Sequence, residues 1–207
     1  MTPTAPLDPE REAWAAGRER VAGLDEAGRG PLAGPVVAAA VVLGRDQRFE
    51  GVTDSKRLAA DERTGLAARI RREVRASALG AASTREVERL DPRGATQLAM
   101  RRALARLPLE PDFLLVDGRG MPDLGEQRAL TGGDGRSHSI ACASVLAKVV
   151  RDRLMHRLHP RYPAYGWATN VGYGTAEHLA ALRRHGPTPH HRRTFAPVAQ
   201  ATLELEG

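Results

Sequence analysis

The chain has 207 residues, of which 42% are hydrophobic, and 31 lysines and arginines against 25 aspartates and glutamates leave a formal net charge of +6. This length and hydrophobic content exclude a wholly disordered protein and predict one domain, with at most a small appendage. The basic excess is compatible with a polyanionic partner such as nucleic acid, although the abundance of arginine and alanine throughout also fits a general compositional bias.

The N-terminal residues and the cysteine content bear on location. Residues 1–20 are rich in proline and charge, which predicts a loose lead-in, and they lack the apolar stretch of a signal peptide. No apolar run approaches the length of a membrane span. Cys142 is the only cysteine, and its apolar surroundings predict a small buried hydrophobe rather than a nucleophile. We expect a soluble, cytoplasmic protein without membrane contact.

Hydrophobic patterning predicts short strands early in the chain and helices between and after them. The runs 21–24 and 36–43 are strand candidates, and the second is rich in valine, as is typical of a strand buried on both faces. Next in chain order we expect a loop over 44–56, a helix over 58–74, a strand over 75–83, a helix with a Ser/Thr cap at 83–84 and a helix over 94–107. Strands over 113–117 and 127–130 and a loop over 131–137 follow. Helices over 139–158 and 176–185 then precede a basic, proline-rich exit. This order predicts an α/β layer structure with a mixed central sheet.

Four carboxylates follow strand-like segments and are candidates for one site. Asp25 and Glu26 follow the first strand, Asp117 ends the strand over 113–117, and Asp134 lies just past segment 127–130. If these strands are neighbours, their ends bring the carboxylates together, where ionising all of them is costly. Mg²⁺ relieves that repulsion by binding one or two carboxylates, waters and phosphate oxygens, and two such ions can promote phosphodiester cleavage.

Taken singly, each acid has a simpler explanation, because carboxylates at strand ends commonly mark turns. The neighbouring Gly28, Arg29 and Gly30 favour the functional interpretation. A backbone without side-chain bulk can approach a sugar-phosphate chain closely and can contact the ribose 2′-hydroxyl that distinguishes RNA from DNA. The glycines match neither a P-loop nor a dinucleotide-binding fingerprint, because no helix follows them.

The sequence GLDEAGRGPLAGPVVAAAV at 23–41 resembles the signature of the ribonuclease HII family, the type 2 ribonucleases H. Further blocks follow in family order: TDSKRL at 53–58, LLVDG at 114–118, GGDG at 132–135, SIACASVLAKVVRDRLM at 139–155 and GYGTAEHLAALRRHGPTPHHRRTFAPV at 172–198. The resemblance therefore spans residues 21–198.

This resemblance implies a ribonuclease H-like fold, with a mixed sheet flanked by helices and a C-terminal helical extension. It also implies Mg²⁺- or Mn²⁺-dependent cleavage of RNA in RNA–DNA hybrids and of single ribonucleotides in duplex DNA. The cut would fall 5′ to the ribonucleotide and leave a 3′-hydroxyl and a 5′-phosphate.

By motif, the resemblance also implies roles for individual residues. The catalytic and metal-binding carboxylates would be Asp25, Glu26, Asp117 and Asp134. Gly28, Arg29 and Gly30 would read the 2′-hydroxyl, and Tyr173 would stack on the sugar of the adjacent deoxynucleotide.

Further residues are candidates for substrate contacts. Ser55, Lys56 and Lys148 are candidate phosphate contacts, although Ser55 and Lys56 could equally form a cap and a solvated lysine before a helix. Asp152 competes with Asp134 for the fourth metal position, and we favour Asp134 because the Gly-Asp loop is the better family match. Asp152 could instead pair with a neighbouring arginine on the helix surface.

Two positions depart from the family pattern. Gly133 and Val171 stand where the family often has lysine, one before the Gly-Asp of the fourth acid and one before Gly-Tyr. Each change removes a possible phosphate contact, so we expect weaker substrate binding with the chemistry retained.

The remaining histidines and aromatic residues have structural interpretations. The cluster 190–193, His-His-Arg-Arg, predicts a basic surface or a structural role, because two adjacent histidines rarely face one metal ion. For Tyr165 and Trp167, packing is a better expectation than stacking on nucleic acid.

The predicted organisation is a lead-in over 1–20, a catalytic domain over 21–198 whose C-terminal helical part begins near 160, and a tail over 199–207. We expect a monomer. Two alternatives stay open: a non-catalytic nucleic-acid-binding domain, and a different metal-dependent phosphohydrolase such as a DNA nuclease.

Overall fold

The computed structural model describes residues 4–121 and 123–206, so residues 1–3 of the predicted lead-in and residue 207 of the predicted tail lie outside the described residues. Its strands are β1 (Val21–Ala27), β2 (Val36–Val42), β3 (Ala76–Ala82), β4 (Phe113–Asp117) and β5 (Gln127–Leu130). They form one sheet in the order β3-β2-β1-β4-β5. The pairs β1–β2 and β2–β3 are antiparallel, and the pairs β1–β4 and β4–β5 are parallel. The predicted mixed sheet is confirmed.

Seven α-helices surround or extend this sheet among the described residues. They are α1 (Asp8–Ala15), α2 (Ala60–Glu73), α3 (Thr84–Leu104), α4 (His138–Leu158), α5 (Trp167–Asn170), α6 (Ala176–His185) and α7 (Ala196–Glu206). The predicted cap at the start of α3 is confirmed, because the Ser83 hydroxyl accepts from the Glu86 N–H and the Glu86 carboxylate accepts from the Ser83 N–H. Asp91 interrupts α3 with a φ of 62°.

Both faces of the sheet are buried, as the valine-rich run of β2 predicts. Every residue of β2 is buried, and alternate residues point to opposite sides. Ala39 and Val41 pack in the core shared with α4, whereas Ala38 and Ala40 pack in the core shared with α3. Helices therefore cover the sheet on both sides.

The N-terminal end of α4 lies unusually close to the centre of the sheet. A Cβ built on Gly23 of β1 would lie 2.3 Å from the backbone carbon of Ser139, so only glycine allows this approach. The close contact fixes α4, which carries Lys148, against the strand that carries Asp25 and Glu26.

The C-terminal segment forms a third, smaller core. Trp167, Tyr165 and Leu182 pack there against Leu32 and Met155, so the chain after α4 folds back onto the segment between β1 and β2. The expectation that Tyr165 and Trp167 serve packing is confirmed by their burial.

The expectation of a loose chain over residues 1–20 is wrong for α1. Glu10 of α1 is fully buried, and one of its carboxylate oxygens accepts from the Ser137 hydroxyl at 2.5 Å, the Ser139 N–H at 2.7 Å and the Ser139 hydroxyl at 2.6 Å. A carboxylate at the start of α4 is favoured by the free N–H groups and the dipole of that helix. The partners lie far away along the chain, so local composition did not reveal them.

The expectation of a tail over 199–207 is wrong for its described residues, because α7 begins at Ala196 and runs to Glu206. The proline-rich exit before it forms no helix over 186–195, as expected. Val198 and Ala201 of α7 are buried in the third core, and this packing stabilises the helix. Across the described residues, no helix is both long and apolar enough to span a lipid bilayer.

A buried histidine predicts acid sensitivity of the fold. Burial lowers the pKa of His138 to about 4, and its Nε2 accepts from the Phe49 N–H at 2.8 Å. The unfolded histidine titrates near 6.5, so only the unfolded state gains this proton as the pH falls from about 6.5 towards 4. His138 should therefore reduce the free energy of unfolding by up to about 1.4 kcal/mol per pH unit in that window.

Urea unfolding between about pH 7.5 and 4.5 measures this slope. His138→Gln, which keeps an acceptor for Phe49, should flatten the dependence by one proton's contribution relative to the parent chain. His156→Gln, on the exposed surface, is the matched control and should keep the parental slope. An unchanged slope in His138→Gln would contradict the assignment.

Candidate active site

The four predicted carboxylates lie at one edge of the sheet. Asp25 and Glu26 are near the end of β1, and Asp117 ends β4, which is parallel to β1 with Leu24 paired to Val116. Asp134 lies in a single helical turn, Gly133–Gly135, that follows β5. Parallel neighbouring strands end at the same edge, so three separate chain segments bring these acids into one pocket of about 660 Å³.

Burial and mutual repulsion raise the pKa of three of these acids. The Asp25 pKa is well above its usual range because of burial first and then the charges of Glu26 and Asp117. Burial also raises the pKa of Glu26, although Arg29, 3.3 Å away, lowers it. Burial and the charges of Asp54 and Asp117 raise the pKa of Asp134 to about 6. The pocket thus disfavours full ionisation of its acids, first because they are shielded from water and second because they lie close together.

This donor set fits hard divalent cations. Carboxylate oxygens are the ligands that Mg²⁺ and Mn²⁺ prefer, and a cation would relieve the repulsion that raises these pKa values. Within residues 4–121 and 123–206, no three His, Cys, Asp or Glu side chains are grouped closely enough to hold an ion by themselves. That arrangement suits an ion held by one or two carboxylates and completed by water and substrate phosphate oxygens.

The loop Gly28–Arg29–Gly30, called here the GRG loop, forms one wall of the pocket. Gly28 has a φ of +96°, and a Cβ there would lie 2.6 Å from the Pro35 carbonyl oxygen, so its glycine is required by the fold. Gly30 is different, because a Cβ there would meet nothing closer than Cε1 of Tyr173, at 4.0 Å. The fold tolerates a side chain at Gly30, and the open space beside it is available to a ligand.

A basic and aromatic wall stands opposite the acids. Lys56, Lys148 and Tyr173 line the pocket, and Tyr173 is a large apolar side chain that stays 43% exposed. The Lys148 Nζ lies 5.8 Å from the centre of the Tyr173 ring and donates to Asp152 at 2.9 Å. Every residue that the sequence predicts for metal, catalysis or substrate contact therefore lines this one pocket.

A model of the family described as Ribonuclease HII matches residues 22–198.

The chain belongs to the ribonuclease HII family.

Individual relatives agree with this match. Ribonuclease HII of Geobacillus thermodenitrificans is 53% identical over 192 residues, which cover 93% of this chain and 74% of the relative. The crystal structure of ribonuclease H2 from Pyrococcus horikoshii OT3 matches with a TM-score of 0.78 at 24% identity and covers 90% of this chain and 99% of that one. Bst-RNase HIII in complex with Mn²⁺ matches with a TM-score of 0.68 at 20% identity over 91% of this chain and 71% of that one.

Membership confirms the resemblance, the ribonuclease H-like fold and the enzyme class. Ribonuclease HII proteins are metal-dependent hydrolases that cleave RNA in RNA–DNA hybrids. The alternative of a non-catalytic binding domain is thereby set aside.

The competition between Asp134 and Asp152 has a structural answer. Asp134 lines the pocket of this ribonuclease HII chain, whereas Asp152 does not. Asp152 instead pairs with Lys148, and the Arg151 guanidinium lies 3.9 Å away. The geometry favours Asp134 as the fourth acid, although its role in catalysis stays a prediction.

Ser55 is more deeply buried than we would expect of a residue that only contacts a substrate phosphate. Its side chain is buried, and its hydroxyl oxygen lies 2.9 Å from the Ser144 hydroxyl oxygen, within hydrogen-bond distance. Ser144 also hydrogen-bonds Asp25, which lowers the Asp25 pKa against the effect of burial. Ser55 therefore supports Asp25 indirectly, through its contact with Ser144.

Sequence reasoning missed Ser144, Arg63 and Asp54. Ser144 and Arg63 line the pocket, and Asp54 hydrogen-bonds Asp134. A signal for Ser144 was present, because it stands four residues before Lys148 on α4 and so shares a helix face with it. Asp54 and Arg63 gave no comparable signal.

The remaining expectations have mixed outcomes. Cys142 is fully buried in the core, as predicted. Within the cluster 190–193, His191 and Arg192 are buried, so a basic surface is wrong for these two residues and a structural role is correct. At the departures from the family pattern, the Gly133 N–H donates to Asp117 at 2.6 Å, and the carbonyl of Val171, whose φ is 42°, accepts from Arg151.

Removing one buried charge from the pocket should stabilise the fold. The folded-state pKa of Asp25 is raised, so its contribution to stability is present at low pH and is lost as the pH rises through that value. Asp25→Asn should therefore increase the free energy of unfolding at neutral pH, without divalent cations, by about 1 kcal/mol or more. Thermal and urea unfolding measure the change.

Asp152→Asn is the matched control for this experiment. It removes the partner of Lys148, so it should lower stability slightly instead of raising it. Added Mg²⁺ should raise the melting temperature of the parent chain more than that of Asp25→Asn. A less stable Asp25→Asn would show that the charge at Asp25 is already compensated.

Proposed function

We propose that this pocket hydrolyses the phosphodiester bond on the 5′ side of a ribonucleotide, both in RNA–DNA hybrids and at single ribonucleotides in duplex DNA. The products would carry a 3′-hydroxyl and a 5′-phosphate. The observation that carries the proposal is the meeting, in one pocket, of four carboxylates, the GRG loop and the exposed Tyr173.

The carboxylates would hold Mg²⁺ or Mn²⁺ together with the scissile phosphate. The residues that provide the oxygens are Asp25, Glu26, Asp117 and Asp134. When bound, a pair of such ions supplies activation of a water molecule and stabilisation of the departing 3′-oxygen. The Mn²⁺ in the Bst-RNase HIII structure supports this class of cation.

The protein's own groups would place the nucleic acid. Lys56 and Lys148 carry positive charge at the pocket and suit phosphate oxygens. The open side of Gly30 suits the close approach of a ribose, and the half-exposed Tyr173 ring lies beside it for stacking on the next sugar. Ser144 and Ser55 would hold Asp25 in place.

Several finer properties stay predictions. With Gly133 and Val171 at positions where the family often has lysine, we propose weaker substrate binding than a lysine-containing relative shows, and a shallower dependence of affinity on salt. The monomeric state, the cytoplasmic location and the division into a catalytic domain over 21–198 stay predictions as well.

A cleavage assay with three duplexes tests the proposal. With Mg²⁺ or Mn²⁺, the enzyme should cut the RNA strand of a hybrid and a DNA strand containing one ribonucleotide, and it should leave pure DNA intact. Asp25→Asn should lose cleavage by at least about a thousandfold while still binding the duplexes, because the residue holds the reacting centre and is not a phosphate contact.

Two further variants separate the competing acids. Asp134→Asn should also be inactive, whereas Asp152→Asn should keep most of its cleavage rate. Cutting of pure DNA would favour the alternative of a DNA nuclease. Cleavage by Asp25→Asn at the parental rate would remove Asp25 from the mechanism.

The space beside Gly30 gives a sharper prediction. Gly30→Ala should fold with the parental melting temperature, since no atom obstructs its Cβ, yet its cleavage rate should fall about a hundredfold because the methyl group displaces the ribose. Gly28→Ala is the contrasting variant and should be destabilised by its positive φ and its contact with Pro35. Parental rates in Gly30→Ala would show that the substrate does not approach this side of the loop.

A further inference from the structure

One buried arginine, Arg192, hydrogen-bonds the backbone of the GRG loop. The guanidinium of Arg192 uses all five of its N–H donors, and each goes to a main-chain carbonyl of the segment 28–34. The acceptors are the carbonyl oxygens of Gly28 at 2.5 Å, Arg29 at 2.8 Å, Pro31 at 2.7 Å and Gly34 at 2.8 and 3.1 Å. Arg192 is fully buried, so these bonds are shielded from water and fix the backbone of the loop.

A chain of two histidines holds Tyr173 in a similar way. The Thr188 N–H donates to His191 Nδ1 at 2.9 Å, so the proton of the neutral His191 ring lies on Nε2. His191 Nε2 lies 2.9 Å from His178 Nε2, which also accepts from the Trp167 indole N–H at 3.3 Å. His178 therefore carries its proton on Nδ1 and donates it to the Tyr173 carbonyl oxygen at 2.8 Å.

The tautomers of His178 and His191 are assigned from neighbours that can only donate a hydrogen bond, because main-chain and indole N–H groups are always donors. Burial lowers the pKa of His178 and brings that of His191 to about 3. The two rings are therefore neutral near pH 7, and the direction of every hydrogen bond in the chain is fixed.

His191 and Arg192 are adjacent, so the two supports share one short stretch of backbone. That stretch is tied to the segment after the GRG loop, since the Arg192 N–H donates to the Leu32 carbonyl at 2.8 Å and the Gly34 N–H donates to the His190 carbonyl at 2.8 Å. The Leu32 N–H in turn donates to the Gly172 carbonyl, next to Tyr173, at 2.8 Å. The GRG loop and Tyr173 thus have a common frame that contains none of the pocket's carboxylates.

We infer that His178, His191 and Arg192 are positioning residues that set the distance between the GRG loop and Tyr173. This inference rests on the proposed function, in which the loop contacts the ribonucleotide and Tyr173 contacts the deoxynucleotide that follows it. A fixed distance makes recognition depend on the two sugars being adjacent. The residues touch neither substrate nor metal, and they determine specificity by holding the groups that do.

Substitutions at His178 test the inference with two substrates. One is duplex DNA with a single ribonucleotide, which has a deoxynucleotide for Tyr173. The other is an RNA–DNA hybrid in which ribonucleotides follow every cut. His178→Gln loses the donor to Tyr173 and should lower kcat/KM on the first substrate about tenfold relative to the second, the effect of one positioning hydrogen bond.

His178→Asn is the conservative partner, because its amide nitrogen takes the place of Nδ1 and can still donate to the Tyr173 carbonyl. It should keep the parental ratio between the two substrates. A residue that serves folding alone would lower both rates together, so equal losses on both substrates, or an unchanged ratio in His178→Gln, would overturn the inference.

Two further variants test the other members of the frame. Thr188→Val removes a hydroxyl 2.9 Å from His191 Nδ1 but keeps the main-chain donor, so it should shift the ratio in the same direction by a smaller factor. Arg192→Lys offers fewer donors and should slow both substrates, because both present a ribose to the loop. Parental rates in Arg192→Lys would remove Arg192 from the frame.

Failure of the proposed function has a different signature. In that case the parent enzyme itself would not cut at a single ribonucleotide. The inference about the frame fails only if the parent cuts there and the His178→Gln variant keeps its preference.

Discussion

The crowding of four carboxylates in one partly buried pocket is the constraint on which the rest of this structure depends. Asp25, Glu26, Asp117 and Asp134 would separate if they were free to move, and the fold holds them at one edge of the sheet against that tendency. The parallel pairing of β1 with β4 fixes two of the three segments, and the Gly133 N–H bond to Asp117 fixes the third.

Helix α4 packs against β1 at Gly23 and brings Ser144 to Asp25. Glu10 of α1 secures the start of α4 by accepting from Ser137 and Ser139. Much of the first core therefore serves to keep like charges together until a cation can join them.

The C-terminal segment supports the backbone of the GRG loop and of Tyr173 with the delocalised guanidinium of Arg192 and with two neutral imidazoles. A loop that approaches nucleic acid by its backbone needs small residues on its outer side, and such a loop has little conformational preference of its own. Arg192 compensates from the inner side, where its flat fork of donors matches several carbonyl oxygens at once. The histidine pair does the same for the backbone of Tyr173 without adding charge near the basic wall. The carboxylates and the GRG loop are thus supported mainly by different cores, and α4 joins these cores because its Met155 packs in the third one.

Local patterning predicted most of the fold, and long-range contacts account for what it missed. Strands β1, β2 and β4 follow from short apolar runs, and helices α4 and α6 follow from the helical spacing of their apolar residues. Helix α1 was missed because Glu10 finds its donors at residues 137 and 139, and α7 was missed because the prolines before and within it predicted an irregular exit. The site followed from motif order, because strand ends carry the acids. The residues that support the site could not be predicted from motif order. Ser144, His178 and Arg192 resemble ordinary helix and loop residues until the chain is folded.

The separation along the chain between Arg192 and the loop it holds has a consequence for synthesis of the enzyme. Arg29 and Arg192 are bonded in the folded protein although 163 positions separate them. A growing polypeptide on the ribosome that has reached residue 185 already contains every carboxylate of the pocket, but its GRG segment has no guanidinium to organise it. Order in the GRG loop therefore depends on a residue that follows all four acids of the pocket in the chain.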